Sequence, residues 1–166
     1  GMPGDTVSIK DNKIYVNDKV VGSKLIGQEF TSDMFFHGRP STINYNTTTT
    51  ESTTFETGST ADSANSSKLT SSVESRINKF LTENPTVARH NLPASLFTES
   101  ASGLDPDITL QGAEVQIDRV SKATGISRVD LIKYINESKE SVSPSGETLI
   151  NVLQLNIKIA EALKMI

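Results

Sequence analysis

Cysteine and tryptophan are both missing from this 166-residue chain, and no long apolar run occurs in it. The absence of cysteine excludes disulfide bonds and thiolate metal sites. The two histidines, His37 and His90, lie far apart in the sequence, which gives little support to a histidine-based metal site. No apolar stretch approaches the roughly 18 residues of a membrane-spanning helix, and the N-terminus lacks the features of a signal peptide.

Basic charge and aromatic residues are also scarce. The formal net charge is −4, and acids and bases are interspersed, so the sequence has no basic patch typical of nucleic-acid-binding proteins. Aromatic residues make up 5% and hydrophobic residues 35% of the chain. A chain of this length can bury one core, and we therefore expect a single domain over residues 1–166 in which part of the chain is loop.

Strand patterns occupy the N-terminal part. The segment VSIKDNKIYV contains two β-rich runs around Asp11-Asn12-Lys13, which predicts a hairpin. Residues 20–30 are predicted to form a short strand or loop. Residues 44–68 are mostly Thr, Ser, Asn and Glu. Because such a segment buries little apolar surface, we expect a flexible surface insertion there.

Four helices are predicted from apolar spacing and end signals. The first covers residues 69–81 and ends at Asn84-Pro85, and the second runs from about 109 to 124 and ends at Gly125. Ser127 and Asp130 resemble a capping box for the third, and Asn151 caps the fourth. VSPSGE is predicted to be a turn. Strands followed by helices indicate an α+β fold. The third helix is expected to carry Val129, Leu131, Ile132 and Ile135.

The segment FFHGRPST, residues 35–42, is the densest chemical cluster in the sequence. An enzymatic interpretation takes His37 as general base, Ser100 or Ser102 as nucleophile and Asp105 as the orienting acid. However, the surrounding ESASGLDPD lacks the Gly-X-Ser-X-Gly elbow and its strand-turn-helix context. A tight loop before the next helix is the favoured interpretation, and a serine hydrolase is a distant alternative.

Phosphate binding has similarly weak support. A phosphate cradle requires successive backbone N–H groups, usually glycine-rich, that lead into a helix. No Walker pattern occurs, and TGSTADSANSS offers Gly58 alone. Arg39 could clamp an anion, but a pairing of Arg39 with a local carboxylate or with loop carbonyls is the favoured interpretation.

Several motifs occur in one order from about residue 7 to the C-terminus. VVGSKLIGQEFTSDMFFHGRPST contains Gly-Ser-x-Leu-Ile-Gly-Gln-x-Phe and then Phe-x-Gly-Arg-Pro-Ser, and Tyr45-Asn46 follows. TESASGLDPDIT, AEVQIDRVSKATGIS and INVLQLNIKI complete the series. Together they resemble the C subunit family of the Kdp potassium-transporting P-type ATPase. That family shows Tyr-Asn-Pro, Thr-x-Ser-Ala-Ser-Gly-Leu-Asp, Ala-x-x-Gln-x-x-Arg-Val and Val-Asn-Val-Leu-x-Leu-Asn at the corresponding positions.

The chain departs from this family pattern in three places. The family's N-terminal transmembrane helix is expected to be absent from residues 1–166. A Ser-Gly-Gly-Ser-Asn motif is only faintly echoed by SANSS, within the Thr/Ser-rich insertion. Asp118 replaces a proline that is common before the Arg-Val pair. Since proline kinks a helix, we expect the helix at this position to run unbroken here.

The resemblance implies a subunit of a membrane complex that imports potassium by using ATP and magnesium. Its A subunit carries the selectivity filter, its B subunit is the phosphorylated pump, and a small F subunit stabilises the assembly. The C subunit has one membrane helix, is required for activity and is described as a catalytic chaperone that raises the B subunit's affinity for ATP. The resemblance implies that the domain itself binds no cofactor.

The resemblance leaves open which side of the membrane the domain occupies. The Ser/Thr-rich segment, the sequons at Asn46, Asn65 and Asn136, and the absence of cysteine and of a phosphate loop favour the extracytoplasmic face. From there an effect on ATP affinity would have to be an allosteric coupling through the complex.

Two loops are expected to be partner contacts or structural loops. In FFHGRPST, Pro40 fixes φ, Gly38 permits a bend, and Arg39 ties the loop down or reaches a partner. One ring of the Phe pair is expected to be buried and the other available for contact. The residues of these two loops are Phe36, Gly38, Arg39, Pro40, Ser41, Ser100, Ser102, Gly103 and Asp105.

Two main functions remain open at this point. The first is a non-catalytic accessory subunit that docks on the potassium-translocating subunit. The second is a direct ATP-binding helper of the pump subunit, with Gln116 and Arg119 as candidate nucleotide contacts beside Arg39 and Ser102. No metal ligand is expected in either case.

Overall fold

A computed structural model describes residues 5–41, 43, 45 and 67–166. The predicted surface insertion at 44–68 therefore lies outside the described residues, apart from Tyr45 and the beginning of the first helix. Among the described residues, no helix combines the length and the apolar character needed to cross a membrane.

The N-terminal part forms a three-stranded antiparallel meander, β1 (Val7–Lys10), β2 (Lys13–Val16) and β3 (Lys19–Ser23). Two-residue turns, Asp11-Asn12 and Asn17-Asp18, join the strands with φ between 48° and 64°. Asp and Asn tolerate this left-handed region better than most residues, and it suits a tight hairpin. The predicted hairpin is confirmed, and residues 20–30 contain most of β3.

A second antiparallel sheet lies among the helices, in the order β4-β6-β5. Its strands are β4 (Asp107–Thr109), β5 (Lys139–Val142) and β6 (Thr148–Asn151). The predicted VSPSGE turn joins β5 to β6, with Gly146 at φ 87°. The α+β class is confirmed. The expectation that all strands precede the helices is wrong, because strands of three or four residues show too little alternation to be detected.

The helices follow the predicted spacing except at one point. Two single-turn 3₁₀ helices, Arg89–Asn91 and Ala94–Leu96, lead from the first helix to β4. The predicted caps are confirmed: Ser127 Oγ accepts from the Asp130 N–H (3.1 Å), and Asn151 Oδ1 accepts from the Gln154 N–H (3.0 Å). The α-helices are α1 (Ser67–Glu83), α2 (Leu110–Glu114), α3 (Ile117–Thr124), α4 (Arg128–Glu137) and α5 (Val152–Ala162).

The predicted continuous helix from about 109 to 124 is wrong. Thr109 ends β4, and the helix breaks at Val115 and Gln116. The Gln116 N–H donates to the carbonyl of Ala113 (3.0 Å), while its side-chain Nε2 donates to the carbonyl of Gly112 (3.0 Å). The side chain thus takes the carbonyl that a continuous helix would pair with the backbone N–H. The break therefore needs no proline at position 118.

The core lies between the second sheet and the helices. Leu131 and Ile135 of α4 belong to it, whereas Val129 and Ile132 of the same helix are 76% and 45% exposed. Phe36 is completely buried in this core although it belongs to no helix or strand. The other buried core residues are Phe80, Leu96, Phe97, Ile108, Ala113, Ile117, Val120, Leu131, Ile135, Ile150, Val152, Leu155 and Ile159.

Candidate functional site

Residues 33–41, here called the HGRP loop, cross the core without a strand partner. Two buried side-chain amides take the place of that partner. Phe36 donates its N–H to Asn156 Oδ1 (2.8 Å) and accepts from Asn156 Nδ2 (2.9 Å). His37 donates its N–H to Gln116 Oε1 (2.8 Å) and accepts from Gln116 Nε2 (3.1 Å). Each amide thus pairs with one residue of the loop in the way that a neighbouring strand would.

The fold dictates where the two amides lie. Gln116 occupies the break between α2 and α3, and Asn156 lies on the buried face of α5; their side chains are 0% and 2% exposed. Buried amides need partners, and the loop backbone supplies them. Asn156 was not predicted from the sequence. Its signal is a polar residue at helical spacing among apolar ones, between Val152 and Ile159.

Arg119 adds a buried charge to this arrangement, since its side chain is 6% exposed. Its Nη1 donates to the carbonyls of Asp33 (2.8 Å) and Phe35 (3.0 Å), and its Nη2 donates to Gln116 Oε1 (2.7 Å). Its Nε donates to Asn84 Oδ1 (3.2 Å). Burial lowers the pKa of Arg119, but an arginine stays charged in proteins. The candidate nucleotide contacts Gln116 and Arg119 therefore both hydrogen-bond within the fold.

Arg39 ties the HGRP loop to residues 99–105, here called the SASGLD loop. Its Nη1 pairs with Asp105 Oδ2 (2.8 Å), and its Nη2 donates to the carbonyls of Glu99 (3.1 Å) and Thr98 (3.3 Å). Ser41 Oγ donates to the carbonyl of Gly103 (2.7 Å). The interpretation that Arg39 pairs with a carboxylate and with loop carbonyls agrees with this geometry.

The SASGLD loop is also bonded internally. Gly103, at φ 67°, donates its N–H to the carbonyl of buried Ser100 (3.1 Å). Ser102 Oγ accepts from the Leu104 N–H (3.1 Å), and Asp105 Oδ1 accepts from the Asp107 N–H (3.0 Å). Most of the polar groups predicted as contacts in this loop therefore serve its own geometry.

Tyr45 packs between the two loops and the N-terminal segment. Its O–H donates to the carbonyl of Arg39, and its N–H donates to Ser41 Oγ (3.1 Å). A Cβ on Gly27 would overlap the Tyr45 ring and lie 2.7 Å from the carbonyl oxygen of Asp105, so only glycine fits there. Gly38 does not adopt a positive φ. A Cβ on Gly38 would lie 3.1 Å from the Tyr45 hydroxyl, so its need for a small residue arises from this contact rather than from a bend.

The predicted hydrolase residues do not form a triad. Asp105 pairs with Arg39, and the Nε2 of His37 lies 3.1 Å from the carbonyl of Ser32. Within the part of the chain that the structure describes, no hydrogen bond joins His37 to Ser100 or Ser102. A nucleophile needs its base within hydrogen-bond reach, so this geometry gives the hydrolase hypothesis no support.

A cleft of about 350 Å³ lies between the HGRP loop and α1. Residues 28–31 and 37–41 form one side, and Arg76, Lys79 and Glu83 of α1 contribute the charged groups of the other. Phe80 and Phe97, in edge-to-face contact with ring centroids 5.4 Å apart, also line it. The two phenylalanines of the HGRP loop differ in burial, as expected. Phe36 is buried, while Phe35 is partly exposed and packs on Phe30 with ring centroids 5.7 Å apart.

We expect Gln116→Leu to lower the free energy of unfolding by about 3–5 kcal/mol, because it leaves His37 and Arg119 with buried unpaired groups. Chemical denaturation followed by circular dichroism measures this change. Gln111→Leu is the matched control, since Gln111 is exposed and bonds to the carbonyl of Asn91 (3.0 Å). Equal stability of the two variants would contradict the assignment.

Acid is expected to destabilise the fold through His37. Burial and the nearby charge of Arg119 lower the pKa of His37 to about 4. Its folded pKa lies below its unfolded value, so the stability it contributes is present above about pH 6.5 and is lost as the pH falls towards 4. We expect wild type to lose about 1–2 kcal/mol more than His37→Gln between pH 7 and pH 5 in urea denaturation. Parallel losses in both proteins would contradict this.

Comparison with known proteins agrees with the motifs. A family model described as the c chain of the K⁺-transporting ATPase, KdpC, matches residues 9–161. The potassium-transporting ATPase KdpC subunit of Clostridioides difficile (strain 630) is 41% identical over 177 aligned residues, which cover 96% of this chain and 85% of that protein. The KdpC subunit of Bacillus cereus (strain ATCC 10987 / NRS 248) is 40% identical over 158 residues, covering 93% and 78% respectively. The chain therefore belongs to the KdpC family.

Proposed function

We propose that this chain is a non-catalytic accessory subunit of a K⁺-transporting ATPase. In this proposal it docks on the potassium-translocating A subunit and assembles with the B and F subunits. Potassium, ATP and magnesium are used by the complex, and the domain itself holds no cofactor. Its family membership supports the assignment to the complex.

The observation that carries the non-catalytic assignment is the internal use of the polar groups in the motifs. Gln116, Arg119, Arg39 and Asp105 all bond to other parts of the same fold. A catalytic site instead positions acids, bases or nucleophiles towards a substrate. Such internal hydrogen bonds and ion pairs fix the shape of the surface before binding, and a docking subunit requires a surface of fixed shape.

In this proposal the domain lies on the extracytoplasmic face and is held by a membrane anchor that precedes it. From that position it raises the ATP affinity of the B subunit by stabilising one conformation of the complex. Such coupling is reciprocal, so ATP binding to the B subunit strengthens the docking of this chain by the same factor.

The cleft favours one second candidate, the direct ATP-binding helper. Arg39, Arg76 and Lys79 all line it, and cations of this kind bind phosphates. Against this, Arg39 and Arg76 already pair with Asp105 (2.8 Å) and Glu99 (2.6 Å). Gln116 and Arg119, the nucleotide contacts that the motifs suggested, are buried away from solvent.

Two measurements on this chain distinguish the candidates. Calorimetric titration with magnesium-ATP is expected to show no saturable binding below millimolar concentrations, while adding the chain to a complex that lacks its C subunit restores potassium-dependent ATP hydrolysis. Micromolar binding abolished by Lys79→Ala would establish the direct helper instead. A complex that is fully active without the chain would contradict the accessory function.

A further inference from the structure

The cleft between the HGRP loop and α1 has the form of a receptor for a partner's side chains. Its apolar lining comes from the partly buried Phe30 and from the edges of the core residues Phe80 and Phe97, which are 7% and 3% exposed, and α1 supplies charged groups. Interface anchors bind in such pockets, where an aromatic or aliphatic wall excludes water around a central contact. The cleft also lies directly against the HGRP loop, whose backbone is fixed by Gln116 and Asn156.

Three cations line the cleft, and they differ in how far they are already paired. Arg39 and Arg76 bond to carboxylates and carbonyls of the fold, and their side chains are 22% and 31% exposed. The Lys79 side chain is 77% exposed, and its described ion pair is with Glu83 at 3.9 Å, one helical turn away. An exposed pair of this kind contributes little to stability. Lys79 is therefore available to an external carboxylate.

The charges on the remaining walls limit what the cleft accepts. Glu29 and Glu83 also line it, so a run of acids would meet repulsion. A partner segment that directs one carboxylate at Lys79 and carries an apolar side chain beside it complements both the charge and the apolar surface of the cleft.

We propose that this cleft is the docking site for a short segment of a partner subunit that places one Asp or Glu carboxylate against Lys79 and an apolar side chain against Phe30. This inference rests on the proposed function, because it takes the partner to be another subunit of the potassium-transporting complex.

Charge reversal tests the site with a closely matched control. Lys133 on α4 is 69% exposed and lies 3.9 Å from Glu137, one turn away, which matches the exposure and helical pairing of Lys79, although Glu137 also pairs with Lys158 at 2.9 Å. Lys79→Glu and Lys133→Glu therefore change the net charge equally and each remove one i,i+4 ion pair. In full complexes assembled from purified subunits, we expect Lys79→Glu to weaken association about tenfold. Lys133→Glu is expected to have no effect, and Lys79→Arg is expected to retain association.

The salt dependence of association gives a second readout. The wild-type association rate is expected to fall as ionic strength rises, and the rate for Lys79→Glu to fall less, since one attractive pair is lost. Equal losses for Lys79→Glu and Lys133→Glu, or no loss for either, would overturn the inference. The proposed function would survive that outcome as long as the wild-type chain still restored activity to the complex.

Zero-length crosslinking identifies the occupant. A carbodiimide activates a carboxylate, the Lys79 amine displaces the activated group to form an amide, and the reagent leaves as a urea. In the assembled complex, mass spectrometry is expected to find Lys79 joined to an Asp or Glu of another subunit. A link to Glu83 of the same helix is expected in any case, because that carboxylate lies 3.9 Å away. A link to a second copy of this chain, or no link to another subunit, would overturn the inference.

Discussion

The structure depends on the pairing of an irregular backbone segment with two buried side-chain amides. The residue Phe36 lies wholly inside the core, and its peptide groups must be hydrogen-bonded there because they are buried away from water. The side-chain amide of Asn156 hydrogen-bonds to the backbone of Phe36, and that of Gln116 hydrogen-bonds to the backbone of His37. The HGRP loop can therefore cross the core without a strand partner, and its outer side chains keep a defined position.

This pairing also connects distant parts of the chain. Gln116 lies at the break between α2 and α3 and contacts Arg119, which in turn holds the carbonyls of Asp33 and Phe35. Arg39 extends the connection to the SASGLD loop. Removing one residue of this hydrogen-bond network leaves several polar groups unpaired in a low-dielectric interior. The loss of stability is therefore larger than that of one hydrogen bond. A surface built on them is rigid enough for recognition without the cost of ordering it on binding.

The sequence allowed prediction of the features that depend on neighbouring residues. Asp11-Asn12 marked the hairpin, Asn84-Pro85 the end of α1, and Ser127 and Asn151 the helix caps, because each signal acts within a few positions. The family resemblance could also be recognised from the sequence, because its motifs are short runs of neighbouring residues. The second sheet was not predicted, since its short strands are defined by pairing between residues far apart, such as Ile108 with Ile150.

For the candidate site, the pairing of Arg39 was predicted from the sequence, whereas Asn156 and Lys79 were not singled out and the buried bonds of Gln116 and Arg119 were not foreseen. The sequence marked Arg39, Gln116 and Arg119 as polar residues in motifs, which is compatible with ligand binding. The inward direction of Gln116 and Arg119 follows from the helix break at Gln116 and from the burial of Phe36, neither of which has a local signal. Lys79 could not be distinguished from other surface lysines, because its position on the cleft depends on how α1 packs against the HGRP loop.

Native-state hydrogen exchange of the Phe36 and His37 amides tests the central claim most directly. Both N–H groups donate to buried side-chain oxygens at 2.8 Å. If the amide pairing fixes the HGRP loop, these two protons exchange as slowly as the backbone N–H of buried Val120 in α3. Exchange at the rate of exposed loop amides such as Thr31 would show that the loop opens independently of the core, and would contradict the claim that Gln116 and Asn156 hold it in place.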